Sequence, residues 1–302
     1  MDAIPLRSYP DVYEKGSGFV MSSPAKVNLL LRVLRKRVDG FHELETVFQE
    51  LDWADEIEFS PDPEFSLEII GANLPKDERN LITRAAGALA KAAGQKPTGK
   101  LRLSKNLPLQ GGVGGGSSNA AITLLGLNRL WDLNWPVSRL EPIAAEMGAD
   151  CPFFLHGGLA SGANRGDVIK PLIGSVMGTF VLLIPNFGVE TAWAFSEVKF
   201  PLTEVEKNVI FKPLRISEVG VAYPQISPCN DLENIVFRRY SGLPHWRDLL
   251  LEQGAKVALM SGSGSTLFGI FESDEIAQCA ALELSLERDL RVKVCRAVAR
   301  ER

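Results

Sequence analysis

The chain has 302 residues, enough for one large or two moderate domains, and its 45% hydrophobic and 23% charged residues are ordinary for a globular fold rather than a disordered or fibrous one. A formal net charge of −4 supplies no general attraction to nucleic acid, and the four cysteines and three histidines are too scattered to draw a zinc site. No apolar run is long enough to span a membrane, and Met1 to Val20 carries Asp2, Asp11 and Glu14 where a signal peptide needs an apolar block, so a cytoplasmic protein is expected.

Along the chain, Val27, Leu29, Leu31 and Val33 alternate as in a half-buried strand, Asp39-Gly40 supplies a turn, and Thr46 to Leu51 reads as the returning strand. Arg32, Arg35, Lys36 and Arg37 read as a solvated strand end. Strand-like runs follow at Glu56 to Phe59 and Ser66 to Ile70, and Asn80 to Ala93 has the spacing of a helix stopped by Gly94. Leu101 to Leu103 forms a strand that runs into a glycine-rich segment. Beyond that segment Ala120, Ala121, Leu124, Leu125, Leu127 and Trp131 make one apolar helix face. Ser138 and Glu141 stand at capping-box spacing and predict the start of a helix that Gly148 ends, leaving Asp150 just past its C-terminus. After Pro171 the apolar strand Phe180 to Ile184 opens a second half. There Val257 to Met260 and Thr266 to Ile270 read as strands joined by Ser261-Gly262-Ser263-Gly264-Ser265, which composition alone leaves as a wide turn or a second functional loop. Two domains are expected, residues 1–170 and 171–302.

The glycine-rich segment carries most of the chemistry. Leu107-Pro108-Leu109-Gln110-Gly111-Gly112-Val113-Gly114-Gly115-Gly116-Ser117-Ser118-Asn119 brings bare backbone N–H groups together at a helix start, where the macrodipole favours a polyanion. It is not a Walker A loop, since Gly116 is followed by Ser117 rather than lysine, and a dinucleotide fingerprint begun at Gly112 would have Ser117 at its third glycine. A flexible linker would continue into polar residues, and this one continues into an apolar helix face. The segment predicts nucleotide binding.

Four features then occur in order: Pro24-Ala25-Lys26-Val27-Asn28-Leu29, Asp39-Gly40-Phe41-His42, the glycine-rich segment, and Gly148-Ala149-Asp150-Cys151-Pro152. Together they resemble the GHMP kinase superfamily and, within it, the kinases of the non-mevalonate route to isoprenoids. Asn230-Asp231-Leu232-Glu233 and Ser261 to Ser265 also fall where that family has similar segments, and residues 1–17 lie outside the resemblance. Phe41 stands where tyrosine is common, Val113 where leucine is common and Asp167 where glutamate is usual.

The resemblance implies an α+β fold with an N-terminal ATP-binding α/β domain, a C-terminal ferredoxin-like α/β domain and an active site in the cleft between them. It implies transfer of the γ-phosphoryl group of ATP to the 2-hydroxyl of 4-diphosphocytidyl-2-C-methyl-D-erythritol. Because phosphoryl transfer passes through a loose transition state, the protein must mainly position reactants and neutralise charge. Pro108, Leu109, Gln110, Gly111, Gly112, Val113, Gly114, Gly115, Gly116, Ser117 and Ser118 are the expected ATP-binding residues, with the Ser117 and Ser118 hydroxyls as added donors. Mg²⁺ would arrive with ATP, and neither a protein-held metal nor a tightly bound cofactor is expected. Asp150 is the candidate to accept or orient the hydroxyl proton, with Lys26 as its partner. Asn28, Phe41, His42, Thr191 and Phe195 are the expected contacts to the cytidyl substrate. A small-molecule substrate, no nucleic acid, no membrane, and a monomer or homodimer complete the expectation. Another kinase of the superfamily, acting on homoserine, mevalonate or a sugar, or a nucleotide-binding module without catalysis, remain as alternatives.

Overall fold

The computed structural model describes residues 6–200, 216–217 and 227–301. Short strands β1 (Leu6–Arg7) and β2 (Val12–Lys15) precede two strands of 19 residues each, β3 (Gly18–Lys36) and β4 (His42–Ser60). Then come β5 (Ser66–Ile70), α1 (Leu81–Ala93), β6 (Lys100–Ser104), α2 (Gly115–Leu130) and α3 (Val137–Met147). A 3-10 turn, Pro152–Leu155, leads to β7 (Leu159–Ala163), β8 (Val168–Leu172) and β9 (Ser175–Val176). The rest comprises β10 (Thr179–Pro185), α4 (Thr191–Ser196), β11 (Ile216–Ser217), β12 (Cys229–Asn230), α5 (Glu233–Arg239) and α6 (Gly242–Glu252). It closes with β13 (Val257–Met260), β14 (Leu267–Phe271), α7 (Asp274–Leu284), β15 (Leu290–Arg296) and β16 (Ala299–Arg300).

The larger sheet runs β12-β3-β4-β6-β5, with β2 on β3 and the β7–β8 hairpin on β4. The runs expected as separate strands at Thr46 to Leu51 and Glu56 to Phe59 are one strand. Pro24 pairs with Ala54 and Ala25 with Leu51, so Asp52 and Trp53 bulge out of β4 opposite the proline, which has no N–H to give the ladder. The helix read at Asn80 to Ala93 is present with both its ends: the Asn80 side chain accepts from Ile82 N, and Gly94 sits at φ 70° and closes the last turn. The capping box is not. Pro136 starts α3 without a side-chain cap, Ser138 lies inside the helix, and Glu141 is taken by His156 Nε2 at 2.7 Å. Helices α1, α2 and α3 cover one face of the sheet around Phe19, Met21, Ile57, Phe59, Leu89 and Leu124.

In the second half, β13-β14-β10-β15 form an antiparallel sheet. Strands β10, β13 and β14 read as largely apolar runs because both faces are covered, whereas the edge strand β15 keeps Arg291, Lys293 and Arg296 and is only partly buried. Phe180, Leu182 and Ile184 of β10 face the large sheet, while Val181 and Leu183 face α6 and α7. The first set packs with Ala25, Val27 and Leu29 of β3. β3 is therefore not half-buried as its alternation suggests: from Ser23 to Leu31 every residue is buried, and one face meets solvent only toward its ends, partly at Val20 and Ser22 and fully beyond Leu31. Ala25, Val27 and Leu29 fill the core between the sheets, which turns Lys26 and Asn28 the other way.

Candidate active site

A cavity of about 830 Å³ lies against that other face of β3, bounded by the glycine-rich segment, the Asp150 turn, α4 and the Gly262-Ser263 loop. Lys26 is almost wholly enclosed, with 2% of its side chain exposed, and its Nζ stands 3.2 Å from Asp150 Oδ2, whose side chain is 37% exposed. The ammonium also donates to Asn28 Oδ1 at 2.5 Å and sits 5.3 Å from the centre of the Phe48 ring. Asn28 in turn donates to Thr46 Oγ1 at 2.9 Å, and that hydroxyl donates to Leu30 O at 2.7 Å. This chain of bonds fixes the lysine head from behind and leaves the carboxylate of Asp150 as its open side.

The glycine-rich segment is held by its own backbone and by a neighbour. Lys26 N donates to Val113 O at 3.0 Å, and Ser118 N bonds Gly114 O at 2.8 Å as α2 begins. Gly112 and Gly114 lie at φ 76° and 74°, in the left-handed region that favours glycine. A Cβ on Gly112 would fall 2.2 Å from Ser261 O, so the two glycine loops touch main chain to main chain. Ser261 Oγ donates to Gly112 O at 2.9 Å and Thr266 N to Gly111 O at 3.2 Å. The second loop, which composition left undecided, is thus part of the cavity wall.

Its position is set by Asn230-Asp231-Leu232-Glu233. Asn230 Nδ2 donates to Met260 O at 2.7 Å and to Gly262 O at 2.8 Å, and Asp231 Oδ2 accepts from Val33 N at 2.8 Å. Glu233, fully enclosed, accepts from Met260 N at 2.6 Å, and burial pushes its carboxyl up to about 7.

Most of the expected residues come together. Lys26, Asn28, Pro108 to Ser117, Asp150, Thr191 and Phe195 line the cavity. Thr191 Oγ1 is 2.8 Å from Ser263 Oγ, which ties α4 to the second loop. His42 stacks on Phe195 with ring centres 5.5 Å apart, and burial, with the charge of Lys36 adding to it, holds its imidazole below the usual value. Phe41 is exposed, with the Arg165 guanidinium 5.0 Å from its ring centre. Ser118, Phe41 and His42 are not among the residues that line the cavity: His42 reaches it only through its stacking on Phe195, and Ser118 is fully buried, its hydroxyl accepting from Ser23 Oγ at 2.9 Å and its N–H spent inside the helix.

Three residues escaped the sequence reading. Buried Asp55 accepts from Asn106 N at 2.7 Å, Leu107 N at 2.8 Å and Asn119 Nδ2 at 2.9 Å, and pairs with the Lys105 ammonium. It anchors both ends of the glycine-rich segment and holds Lys105 on the cavity wall, where a Cβ on Gly115 would lie 3.0 Å from Lys105 Nζ. Arg165, which also lines the cavity, is aligned by Asp167 at 2.6 and 2.9 Å. No local pattern announces these partners, which lie 50 or more residues apart for Asp55; only the Arg165-x-Asp167 spacing was visible.

Comparison with known proteins agrees with this geometry. Residues 80–158 match the GHMP kinases N terminal domain and residues 224–286 the GHMP kinases C terminal domain. The chain is 42% identical over 259 residues to a 4-diphosphocytidyl-2-C-methyl-D-erythritol kinase of Syntrophus aciditrophicus, covering 85% of this chain and 91% of the relative. It is 38% identical over 266 residues to the kinase of that name from Prosthecochloris aestuarii, covering 86% and 92%. A crystal structure of 4-(cytidine 5'-diphospho)-2C-methyl-D-erythritol kinase superposes with a TM-score of 0.73 at 31% identity, covering 91% of this chain and 98% of that one. With its glycine-rich helix start, its Lys26–Asp150 pair and relatives of this identity along most of its length, the chain belongs to the 4-diphosphocytidyl-2-C-methyl-D-erythritol kinase family of the GHMP kinases.

Proposed function

We propose that this enzyme transfers the γ-phosphoryl group of ATP to the 2-hydroxyl of 4-diphosphocytidyl-2-C-methyl-D-erythritol, releasing ADP, with Lys26 and Asp150 at the reacting hydroxyl. The observation that carries the reading is the Lys26–Asp150 pair, 3.2 Å apart, on the wall of the same cavity as the α2 N-terminus. The backbone N–H groups from Gly112 to Ser117 hold the ATP phosphates, and the Ser117 hydroxyl adds a donor. Magnesium belongs to the ATP substrate and spreads the charge of its phosphates. Asp150 orients the acceptor hydroxyl and takes its proton, while the Lys26 ammonium stabilises charge on the group in transfer. Asn28 keeps the ammonium in place through its 2.5 Å bond.

At the other end, Phe195 on the cavity wall, with His42 stacked on it 5.5 Å away, offers a flat face for the cytosine ring, and Thr191 and Phe41 are the further contacts we assign to the cytidyl substrate. We place the reaction in the cytoplasm, in a monomer or homodimer; no helix among the described residues is long and apolar enough to cross a membrane.

The test is Asp150→Asn, which keeps the side chain's shape and its distance from Lys26. It lowers kcat by about two to four orders of magnitude while ATP binding is retained. Near-normal turnover in a folded variant removes Asp150 from the proton's path. Running homoserine, mevalonate and galactose beside the cytidyl substrate tests the acceptor: transfer to one of these instead overturns the cytosine platform and leaves the kinase chemistry.

A further inference from the structure

We propose that Tyr9 and Arg300, from the two ends of the chain, form a clasp that positions Asp150 for phosphoryl transfer. β1 runs parallel to β16, Leu6 beside Ala299, and this lays Ser8 to Asp11 along the last strand. Residues 1–17 are the part of the chain outside the family resemblance, so the arm is not part of the motif set that defines the chemistry.

The Arg300 side chain is 1% exposed and every guanidinium N–H has an acceptor. Nη1 donates to Ser8 O at 2.8 Å and Asp11 Oδ1 at 2.9 Å, Nη2 to Asp11 Oδ2 at 3.1 Å and to Glu50 Oε1, and Nε to Glu50 Oε2 at 3.0 Å. The guanidinium also lies 4.7 Å from the Tyr9 ring centre. Two bonds carry this cluster to the segment that follows Asp150: Tyr9 OH donates to Phe154 O, and Gly158 N donates to Glu50 Oε2 at 2.6 Å. Between these points a Cβ on Gly157 would fall 2.5 Å from Glu50 Oε2 and 2.7 Å from Tyr9 Cε2, so there is no slack. Short-range bonds continue to the catalytic turn, from Phe154 N to Cys151 O and from Cys151 N to Gly148 O, each 3.1 Å.

A buried arginine between two carboxylates is a poor way to gain stability, because desolvation consumes much of the attraction and an apolar cluster of similar volume would do as well. What such a cluster supplies is direction: planar, fully bonded and fixed at both ends. Here the direction fixed is that of the turn bearing Asp150, whose carboxylate has to meet both the Lys26 ammonium and the acceptor hydroxyl. A displacement of about 1 Å in such a group can cost up to two orders of magnitude in rate.

The inference rests on Asp150 acting at the hydroxyl, so its test is a cycle that separates the two. Tyr9→Phe removes only the hydroxyl and keeps the ring beside Arg300. It is measured in the native enzyme and in Asp150→Asn, with kcat, KM for ATP and melting temperature followed in all four proteins. Tyr9→Phe is expected to lower kcat about 5- to 20-fold in the native background, with KM for ATP changed less than about twofold, and to change the residual rate of Asp150→Asn less than about twofold. An equal loss in both backgrounds would mean a general structural role and overturns the proposal, as does a native-background kcat within about twofold of normal. Asp150→Asn with near-normal turnover overturns the reading of Asp150 itself, a result distinguishable because it appears without any change at Tyr9. Arg300→Lys keeps the charge but not the five-donor geometry and is expected to reproduce the Tyr9→Phe pattern; if it fails to fold, Tyr9→Phe alone decides.

Discussion

Gly112→Ala puts the contact between the two glycine loops to a direct test. Gly112 lies at φ 76°, and a Cβ there would stand 2.2 Å from Ser261 O and 2.9 Å from Gly264 O, both main-chain atoms with no side-chain rotamer to move. Restoring an ordinary contact of about 3.4 Å requires the loops to part by roughly 1 Å. The left-handed conformation costs an alanine about 1–2 kcal/mol and the forced separation about 1–3 kcal/mol, together about 2–5 kcal/mol of stability. The chemical effect is larger in proportion. Gly262 sits beside the Lys26–Asn28 pair, its own notional Cβ 3.5 Å from Asn28 Oδ1 and 3.6 Å from Lys26 Nζ, so a shift of the second loop reaches the lysine proposed to act at the transferred group. A loss of about 100-fold in kcat is expected. The assay pairs steady-state kinetics with urea melts, and Gly116→Ala is the control: Gly116 is helical and its notional Cβ meets only Leu81 Cδ1, at 3.5 Å. That variant should keep or gain stability, by up to about 1 kcal/mol from helix propensity. A Gly112→Ala enzyme with native melting behaviour and kcat within about twofold would refute the reasoning about loop contact.

Three further outcomes are expected. The Glu233 carboxyl ionises near 7 in the folded protein against an ordinary value of 4.5, so between those values the unfolded chain has released its proton while the folded one holds it. Stability therefore falls as pH rises through that window, by up to about 3 kcal/mol, and Glu233→Gln, which still accepts from Met260 N, flattens the fall; urea melts at pH 5 and 8 with the native difference preserved would contradict this. His42→Ala should raise KM for the cytidyl substrate by about 3- to 10-fold and leave KM for ATP nearly unchanged, and equal rises in both would remove His42 from the cytosine platform. Asp55→Ala strands the Lys105 ammonium and the N–H groups of Asn106 and Leu107 without their acceptor, and should cost about 3–5 kcal/mol in denaturant melts; a loss under about 1 kcal/mol would show that water replaces the carboxylate freely.

Features written in neighbouring residues were legible in the sequence. Asn80 and Gly94 announce both ends of α1, and the glycines before Ala120 announce a helix start with open N–H groups. Lys26, Asn28 and Asp150 were found because they stand in short motifs, and the cavity brings them together. What escaped depends on residues distant in the chain. The pattern of β3 reads as half-buried because a strand's alternation cannot report that a second sheet covers one face and a cavity the other. Ser138 and Glu141 have the spacing of a cap, but His156 claims the glutamate. Ser117 and Ser118 look equivalent, yet the rotation of about 100° between successive helical residues sends the second toward Ser23. Asp55 gave no signal, since a lone aspartate in a strand has no local partner to mark it.

The shared use of β3 also bears on how the chain is made. Ala25, Val27, Leu29, Val47, Leu51 and Trp53 are covered by Phe180, Leu182, Ile184, Leu259 and Phe268, which leave the ribosome much later. Until then the first half of the nascent protein carries a bare apolar sheet face of the kind that sticks to other chains. A gene cut after β8 should therefore yield insoluble protein, and the two halves should be recovered in soluble form only when expressed together.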